Sequence, residues 1–453
     1  MSTYDGPTLR AIRESMGVPL RRIARQASMS HGHLSKVERG EHGRPITPAI
    51  LAAYEKVTGV SLADAAAALA EQREGVVGRR GKTWQPGQLS DMRRLQFNAA
   101  IGAIAIGGQV GDPFSRLLDS TGRPAIPLPP RGMDVEQVER VAAFLTDLDL
   151  RYGGGFSSQL AKTVLRWAVA MLEVVSVAAP VGRRLYGAIS AVTERAAWAA
   201  FDTGAHEGAR SLFRLALYTA VRSGDANLRA HVLADAAAQH NHLGYHEDAL
   251  EIIRLIEGDE RVDPPVRMVL HGVKARAYAG VGAVELCRRN IDLAEAAHAA
   301  EPSATGWVAT LRTPGHLYAT TGHAVATLAI HTGSDADQAE AQQRLQAAVT
   351  HLDPSGHARA VGLCQARLAQ LALRSGDLAA GEQWARQAMT GLAAVDSARL
   401  RRAMSTVRKA AQAHPGESRM SELDHDIRAA IALAEPPEQP RKEAEQPAAQ
   451  SSL

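Results

Sequence analysis

Two small residues separated by four others recur through the chain from Gly204 onward. The clear copies are Gly204 and Ala209, Gly244 and Ala249, Gly282 and Cys287, and Gly376 and Gly381, and a further copy places Ala341 after the loop at Gly333. The second residues lie 40, 38, 54 and 40 positions apart, which indicates one supersecondary unit used repeatedly. Each unit reads as a helix, a short turn and a second helix. A lone helical hairpin cannot bury its apolar face, so we expect the units to stack into an α-solenoid.

The clearest copy covers residues 240–250, HNHLGYHEDAL. These copies resemble tetratricopeptide repeats, with the characteristic alanine of the second helix at Ala209, Ala249 and Ala341. They depart from that family in their longer period and in Cys287 and Gly381, which replace the alanine. The resemblance implies a tetratricopeptide-like helical repeat domain over residues 135–434.

A second pattern lies near the N-terminus, in residues 18–44. Two short helices are predicted there, with apolar faces at Leu20, Ile23 and Ala24 and at Leu34 and Val37. Between them, Ser28 can close the first helix, Met29 can fill the angle and Ser30 can cap the second helix. Two such helices joined by a tight turn predict a helix-turn-helix, whose second helix enters the major groove of DNA.

The flanking residues agree with this prediction. Residues 9–17 supply a preceding helix, Gly40 provides a left-handed end to the second motif helix, and residues 45–62 supply closing helices. The run resembles the Cro-type, or xenobiotic-response-element, helix-turn-helix family. That resemblance implies a five-helix DNA-binding domain over residues 1–72, and together with the repeats an all-α fold throughout.

The family's roles are carried over position by position. The base-reading positions fall on His31, Gly32 and Lys36. The phosphate-contacting positions fall on Ser30, His33, Arg39 and Arg44. The position that opens the first motif helix, often a glutamine that binds phosphate, is Leu20 here, so we assign that contact to Arg21 or Arg22. The alternative for Arg21, Arg22 and Arg25 is an ordinary solvated helix face.

Charge and cysteine content limit the remaining possibilities. The net charge is +3, residues 1–60 carry nine Lys or Arg and five Asp or Glu, and the rest of the chain is therefore at −1. Affinity for double-stranded DNA should reside in the N-terminal domain. Cys287 and Cys364 lack metal-ligand spacing and read as buried apolar residues in a reducing cytosol. No metal and no cofactor are expected.

Residues 73–134 read as a linker and a connecting helix. Arg79, Arg80 and Lys82 could follow phosphate or could be part of a solvated connector, a helix is expected over residues 92–106, and residues 124–130 form a proline-rich loop. The N-terminus is polar and the longest apolar run, residues 101–110, is too short to span a bilayer. The sequence therefore predicts a cytoplasmic protein without a membrane partner. Residues 435–453 are expected to be disordered.

The repeat domain begins with a helix whose apolar face is Val138, Val141, Phe144, Leu145 and Leu148. Glycines at 153–155 invite a phosphate-loop interpretation, but no strand precedes them and no Gly-Lys-Ser/Thr follows, so a hinge between helices is favoured. This segment and residues 194–204 resemble a region of large helix-turn-helix regulators from high-GC bacteria. The bias of 44 Arg against 7 Lys agrees with such a genome.

No catalytic signature is present. His240, Asn241 and His242 spell a nuclease-like triplet, but they fall in a helical repeat, where chance is the better explanation. The sequence has no Gly-x-Ser-x-Gly, His-Glu-x-x-His or Cys-x-x-Cys motif. The chain is therefore expected not to be an enzyme.

Two functions fit these patterns. In the first, a homodimeric transcriptional regulator binds a palindromic operator, and its repeat body binds a peptide, small-molecule or protein effector. This architecture resembles peptide-responsive quorum-sensing regulators, and the family's habitat implies control of secondary metabolism or development. Candidate effector-binding residues are Trp198, Asn241, His271, Arg276 and Tyr278; for each of them singly, an ordinary core or surface position is the favoured alternative. In the second, the repeats are a scaffold that docks a protein partner, and the head only localises it on DNA.

Overall fold

A computed structural model describes residues 6–15, 20–41, 46–58, 62, 86–105, 132–172, 180–300, 307–310, 313–352 and 354–434. Regular structure in these ranges is helical, with one isolated β-bridge between Gly153 and Asp396. The predicted all-α class is confirmed. The chain divides into two compact units, residues 1–93 and 94–453, which we call the head and the body. The division falls inside the segment predicted to be a linker and connecting helix.

The described part of the head contains the helices α1 (Gly6–Ser15), α2 (Leu20–Gln26), α3 (His31–Glu38) and α4 (Pro48–Thr58). The two predicted apolar faces meet in its core, where Ile23, Ala24, Leu34 and Val37 are buried and Leu20 packs against them. The other core residues are Leu9, Ile50, Ala53, Tyr54 and Leu62. The predicted fifth helix lies outside the described residues, except for Leu62.

The helix α5 (Pro86–Ala105) confirms the helix expected over residues 92–106 and begins earlier than predicted. Phe97, Ile101 and Ile104 are buried with side chains of the body, so its C-terminal half is part of the body's core. Arg44, Arg79, Arg80, Lys82, the loop at 124–130 and the C-terminal tail lie outside the described residues.

The body continues with fifteen helices in its described part. They are α6 (Gly132–Tyr152), α7 (Gly154–Leu172), α8 (Pro180–Asp202), α9 (His206–Ser223), α10 (Ala226–Leu243), α11 (His246–Arg254), α12 (Pro264–Gly280), α13 (Val284–Ala299), α14 (Trp307–Thr310), α15 (Pro314–Thr332), α16 (Asp335–His351), α17 (Pro354–Arg374), α18 (Leu378–Ala394), α19 (Ala398–Ala411) and α20 (Ser418–Ala434).

Antiparallel helical hairpins form most of the body. The pairs are α8 with α9, α10 with α11, α12 with α13, α15 with α16, α17 with α18, and α19 with α20. The first helix of each pair packs against the first helix of the next. Because each hairpin covers its neighbour's apolar face, the hairpins share continuous cores, as the repeat pattern predicts.

The repeated small residues have the same structural role in each hairpin. The turn glycines Gly204, Gly244, Gly282, Gly333 and Gly376 all adopt positive φ, between 67° and 87°. The partner residues of the first four turns, Ala209, Ala249, Cys287 and Ala341, are completely buried. At Gly381, a Cβ would lie 2.5 Å from Leu373 Cδ2. The long interval of 54 residues is explained by the extra segment around α14, between α13 and α15.

The start of the body corrects one prediction and supports another. Val138, Leu145 and Leu148 are buried as expected, but Phe144 is 52% exposed, because the face that α6 buries is narrower than its apolar pattern. The glycines at 153–154 join α6 to α7, and Gly153 has a φ of 83°. A Cβ on Gly153 would lie 2.5 Å from Asp396 O, and one on Gly154 would lie 2.5 Å from Ala199 O. These glycines therefore permit close backbone packing. They lie between two helices, as predicted, rather than after a strand as in a phosphate loop, and a hinge motion there stays a prediction.

The two ends of the body's helical array meet. Helix α6 packs against α17, and α8 packs against α19. Between them lies Asp202, a buried side chain whose carboxylate accepts hydrogen bonds from Arg399 Nε at 2.6 Å, from Ser397 Oγ at 3.1 Å and from the Arg359 guanidinium. The other side of Arg359 pairs with Asp149 at 2.8 Å. These contacts join residues 157 to 210 positions apart, and we call them the closing network.

The closing network also sets the ionisation of Asp202. Burial raises the pKa of this carboxyl, but the charges of Arg399 and Arg359 and the hydrogen bonds from Arg399 and Ser397 outweigh it, so its pKa lies below 3.8. A depressed pKa in the folded state stabilises the protein above the unfolded-state value, and this stabilisation is lost as pH falls through the folded-state value.

Replacing Asp202 with alanine should destabilise the body by about 3–5 kcal/mol, because two buried arginines lose their shared counter-charge. The matched control is Asp147→Ala, which removes an exposed carboxylate paired with Arg151 at 2.7 Å. That change should cost about 0.3–0.5 kcal/mol. Urea denaturation of the two variants measures both effects, and equal losses would contradict the role given to the closing network.

The charge of Asp202 also predicts a pH dependence. The stability gap between the natural protein and Asp202→Asn should be full at neutral pH. It should narrow as pH falls from the ordinary pKa of an aspartate through the lower pKa of Asp202, because protonation makes the two side chains alike. Denaturation midpoints measured across the acid range test this expectation. A gap that stays constant down to the lowest pH at which the protein folds would show that the carboxylate charge contributes nothing.

Candidate nucleic-acid interface

The turn between α2 and α3 has the geometry that the sequence predicts. Ser28 adopts a φ of 54° and so reverses the chain after α2. Ser30 is extended, with φ −71° and ψ 148°, and its hydroxyl accepts a hydrogen bond from the His33 backbone N–H at 3.2 Å. Met29 packs partly buried against the head core. The predicted cap and plug are therefore both present, and they fix where α3 begins.

The other end of α3 is closed by glycine. Gly40 adopts a φ of 73°, and its N–H donates to Val37 O at 3.0 Å. The next N–H, of Glu41, donates to Lys36 O at 2.9 Å. These bonds satisfy carbonyls that the last helical turn would otherwise leave without partners.

A buried charge network holds α3 on its inner side. Glu38 is 3% exposed and accepts hydrogen bonds from Arg13 Nε at 2.5 Å, from Arg13 Nη2 at 2.8 Å and from the Tyr54 hydroxyl at 2.6 Å. Burial, together with the bond to Glu38, raises the pKa of Tyr54 well above its ordinary value. One carboxylate thus joins α3 to α1 and α4.

Backbone contact adds a second constraint on α3. Gly6, at the start of α1, lies against the last turn of α3, and a Cβ there would be 1.9 Å from Val37 O. Only glycine allows this approach. The position of α3 is consequently fixed along its length by the apolar core, at its start by Ser30 and at its end by Gly6 and Glu38.

The outer face of α3 is polar and open. His31, Gly32, His33 and Lys36 are exposed, opposite the buried Leu34 and Val37. A Cβ on Gly32 would meet no atom within 4 Å, so packing within the head does not require a glycine here. Because Gly32 has no side chain, the helix backbone is accessible at this position. All three predicted base-reading residues therefore share one accessible surface.

Residues 6–69 match the family model of a helix-turn-helix domain. The head contains a helix-turn-helix DNA-binding domain. No curated protein matches the chain, and no solved structure matches it. Among the described helices, none is long and apolar enough to cross a membrane.

The predicted phosphate-contacting residues that the structure describes are all exposed: Ser30, His33, Arg39, Arg21 and Arg22. Arg21 and Arg22 are exposed in the first turn of α2. Arg39 is folded back, with its Nε 2.9 Å from Glu41 Oε1 and its Nη1 2.6 Å from Ser35 Oγ. The hydrogen bond and charge of Glu41 raise the pKa of Arg39. To bind phosphate, Arg39 has to break its hydrogen bonds to Glu41 and Ser35. The contacts described for the head include no such bond that Arg21 or Arg22 would have to break.

Sequence reasoning missed the residues that hold the helix-turn-helix domain together by charge. Arg13, Glu38 and Tyr54 fall within helices that the sequence predicts, and the helical pattern assigns them no role of their own. The available signal was the position of Glu38, directly beside the core residue Val37 on a short amphipathic helix. A charge at such a position needs a partner, and Arg13 on the preceding helix was a candidate.

The body residues proposed for effector binding separate into two groups. Asn241 and Arg276 line one cavity. Trp198 is a core residue, packed edge-on against Phe201 and beneath the Arg399 guanidinium at 4.5 Å. His271 and Tyr278 are not among the residues that line this cavity: His271 contacts Asn290 at 3.1 Å, and Tyr278 lies beneath Lys274 at 5.9 Å.

Another buried cluster contains metal-ligand side chains. Glu194, His231 and Asp235 offer ligand atoms within 4.8 Å of one another. Arg195 pairs with Glu194 and lies 3.4 Å from Asp235. Burial raises the pKa of Glu194, and the charge of Arg195 opposes this shift. Because Arg195 already supplies the positive charge, we interpret the cluster as an ion-pair network of the body.

Tyr54→Phe should loosen the helix-turn-helix domain while leaving the Arg13–Glu38 pair in place. A hydrogen bond to a charged group contributes about 1.5–3 kcal/mol, so protection of amides in α1, α3 and α4 should fall by that amount. Hydrogen exchange read by mass spectrometry measures this loss peptide by peptide in the full chain. Lys36→Ala, on the exposed face, is the control and should leave protection unchanged; equal losses in both variants would remove the support for the buried network.

Proposed function

We propose that the protein is a sequence-specific transcriptional regulator of the Cro-type helix-turn-helix family, acting in the cytoplasm as a homodimer on a palindromic operator. The observation that carries this proposal is the exposed polar face of α3, presented by a helix whose inner side is locked by Glu38. A rigid helix with an open polar face suits insertion into the major groove.

The chemistry of that face fits base reading. Lys36 can donate to the O6 and N7 acceptors of guanine, and His31 can donate to an acceptor at a base edge. Gly32 lets the helix backbone approach the bases, since no side chain projects there. Arg21 and Arg22 lie where they can bind phosphate and fix the orientation of the domain. Arg44 keeps its proposed phosphate contact as a sequence-based assignment.

The body supports an effector-binding role. Its stacked hairpins resemble tetratricopeptide repeats, and they form a solvent-accessible cavity that Asn241 and Arg276 help to line. In a dimer, two helix-turn-helix domains meet half-sites about one helical turn, roughly 34 Å, apart. An effector that binds one arrangement of the dimer more tightly than another changes operator affinity by the difference between its two affinities.

A scaffold is the second candidate, and exposed apolar side chains on the body favour it. Leu286 and Leu293 are seven positions apart on one face of α13 and are 43% and 39% exposed, which suits docking of a protein partner. Retention of genomic fragments by the full chain at two salt concentrations separates the candidates. The regulator retains selected fragments at both concentrations, whereas a scaffold that only localises on DNA binds all fragments alike and loses them as salt rises.

Base-reading and phosphate-binding residues should respond differently to replacement by alanine. Lys36→Ala should lower discrimination at one base pair of each half-site by about 1–3 kcal/mol. Arg21→Ala should weaken binding to all sequences alike and reduce the salt dependence. Competition binding on a set of single-base operator variants measures both effects. Identical behaviour of the two variants would contradict the division between base-reading and phosphate-binding residues.

A further inference from the structure

A cavity of about 500 Å³ lies in the body, where the end of α10 meets α12, α15, α17 and α19. Its charged and titratable lining consists of three arginines and three histidines, with no Asp or Glu among the lining residues. These six are His242, His246, Arg276, His331, Arg367 and Arg402. Its volume is within the range of small-molecule sites.

Two partly buried arginines of this cavity, Arg276 and Arg367, differ from Arg359 and Arg399 in their partners. Arg359 and Arg399 are each paired with a buried carboxylate. By contrast, Arg276 approaches His242 Nδ1 at 3.4 Å, and Arg367 donates to Gln370 Oε1 at 2.9 Å. Among the described residues, neither forms an ion pair with a carboxylate. In the described part of the chain, the hydrogen-bond partners of both guanidinium groups are neutral.

Positive charge in this cavity is unfavourable without an anion. Burial, followed by repulsion from Arg367 and Arg399, lowers the pKa of Arg276 to about 9. Burial and the charge of Arg276 also depress the pKa of His242 and that of His323 nearby. Charges withdrawn from water are normally paired, and Arg276 and Arg367 have no carboxylate partner among the described residues. We take this to indicate that a ligand supplies the counter-charge.

We propose that this cavity binds a small molecule with at least two anionic oxygen groups, held by Arg276 and Arg367 and joined by the exposed Arg402. The planar guanidinium fork matches phosphate and carboxylate oxygens in two-point contacts. Ile330 and Leu243 provide apolar surface for the rest of the ligand. We identify this small molecule with the effector of the proposed function. Only the regulatory consequence of its binding rests on that function.

Calorimetric titration of the full chain with sodium pyrophosphate, and separately with sodium citrate, tests the site at constant ionic strength. We expect saturable binding with one site per chain for at least one probe. Binding by pyrophosphate alone assigns phosphate, binding by citrate alone assigns carboxylate, and binding by both assigns the shared oxyanion chemistry. Arg276→Gln and Arg367→Gln should each weaken binding at least about tenfold, as expected for loss of a charged hydrogen bond. Absence of saturable binding by both probes overturns the proposal.

Matched controls exclude a general effect of charge. Arg261→Gln and Arg419→Gln each remove one positive charge from side chains that are 69% and 65% exposed, and both should bind the probes as the natural protein does. Without anion, Arg276→Gln should leave the melting temperature unchanged or raise it, because repulsion among the cavity cations is relieved. Equal weakening in the control variants, or a lower melting temperature with unchanged probe binding, overturns the assignment.

Binding to DNA is measured separately, so the two proposals can fail independently. Probe binding without sequence-selective fragment retention leaves the anion site standing and refutes the regulator. Selective retention without probe binding refutes the anion site alone. The probe that binds should also change the affinity of the natural protein for its operator and should not change that of Arg276→Gln. This result would connect the anion site to DNA binding.

Discussion

A charge buried inside a protein must be surrounded by opposite charge or hydrogen-bond partners, and this constraint orders the helices of both units. In the head, Glu38 brings Arg13 and Tyr54 to the inner side of α3. In the body, Asp202 draws in Arg359 and Arg399 from the far end of the chain and closes the helical array. Apolar burial supplies the general driving force for packing, but it is not directional. The buried carboxylates add specific contacts between particular helices: α3 with α1 and α4 in the head, and α8 with α17 and α19 in the body.

The arginines Arg276 and Arg367 depart from this constraint, and that departure gives the body a proposed function. The closing network brings α17 and α19 against the first helices of the body, and these same two helices contribute Arg367 and Arg402 to the cavity. The closing network and the proposed ligand site therefore share the helices α17 and α19. An anion that strengthens contacts across the cavity can favour one arrangement of the body over another, which is the physical requirement for an effector.

Local features were predictable from the sequence, whereas long-range contacts were not. The serine cap at Ser30, the left-handed Gly40 and the buried alanines Ala209 and Ala249 follow from spacing and residue type, and the structure confirms them. The pairing of Asp202 with Arg359 joins positions 157 apart, and no local pattern predicts it. The same holds for the cavity, since Arg276 and Arg367 come from different hairpins. The exposure of Phe144 was not predictable for a different, local reason. Helical periodicity gives the direction of a side chain but not the width of the helix face that neighbouring helices cover.

The central claim is that the outer face of α3 reads bases in the major groove. Methylation interference on an operator fragment tests it most directly, because a methyl group at guanine N7 blocks a major-groove contact. The account predicts that methylation of at least one guanine in each half-site abolishes binding by the natural protein, and that the same lesion has no effect on the residual binding of Lys36→Ala. Binding that is indifferent to guanine methylation, or equally sensitive in the variant, would contradict it.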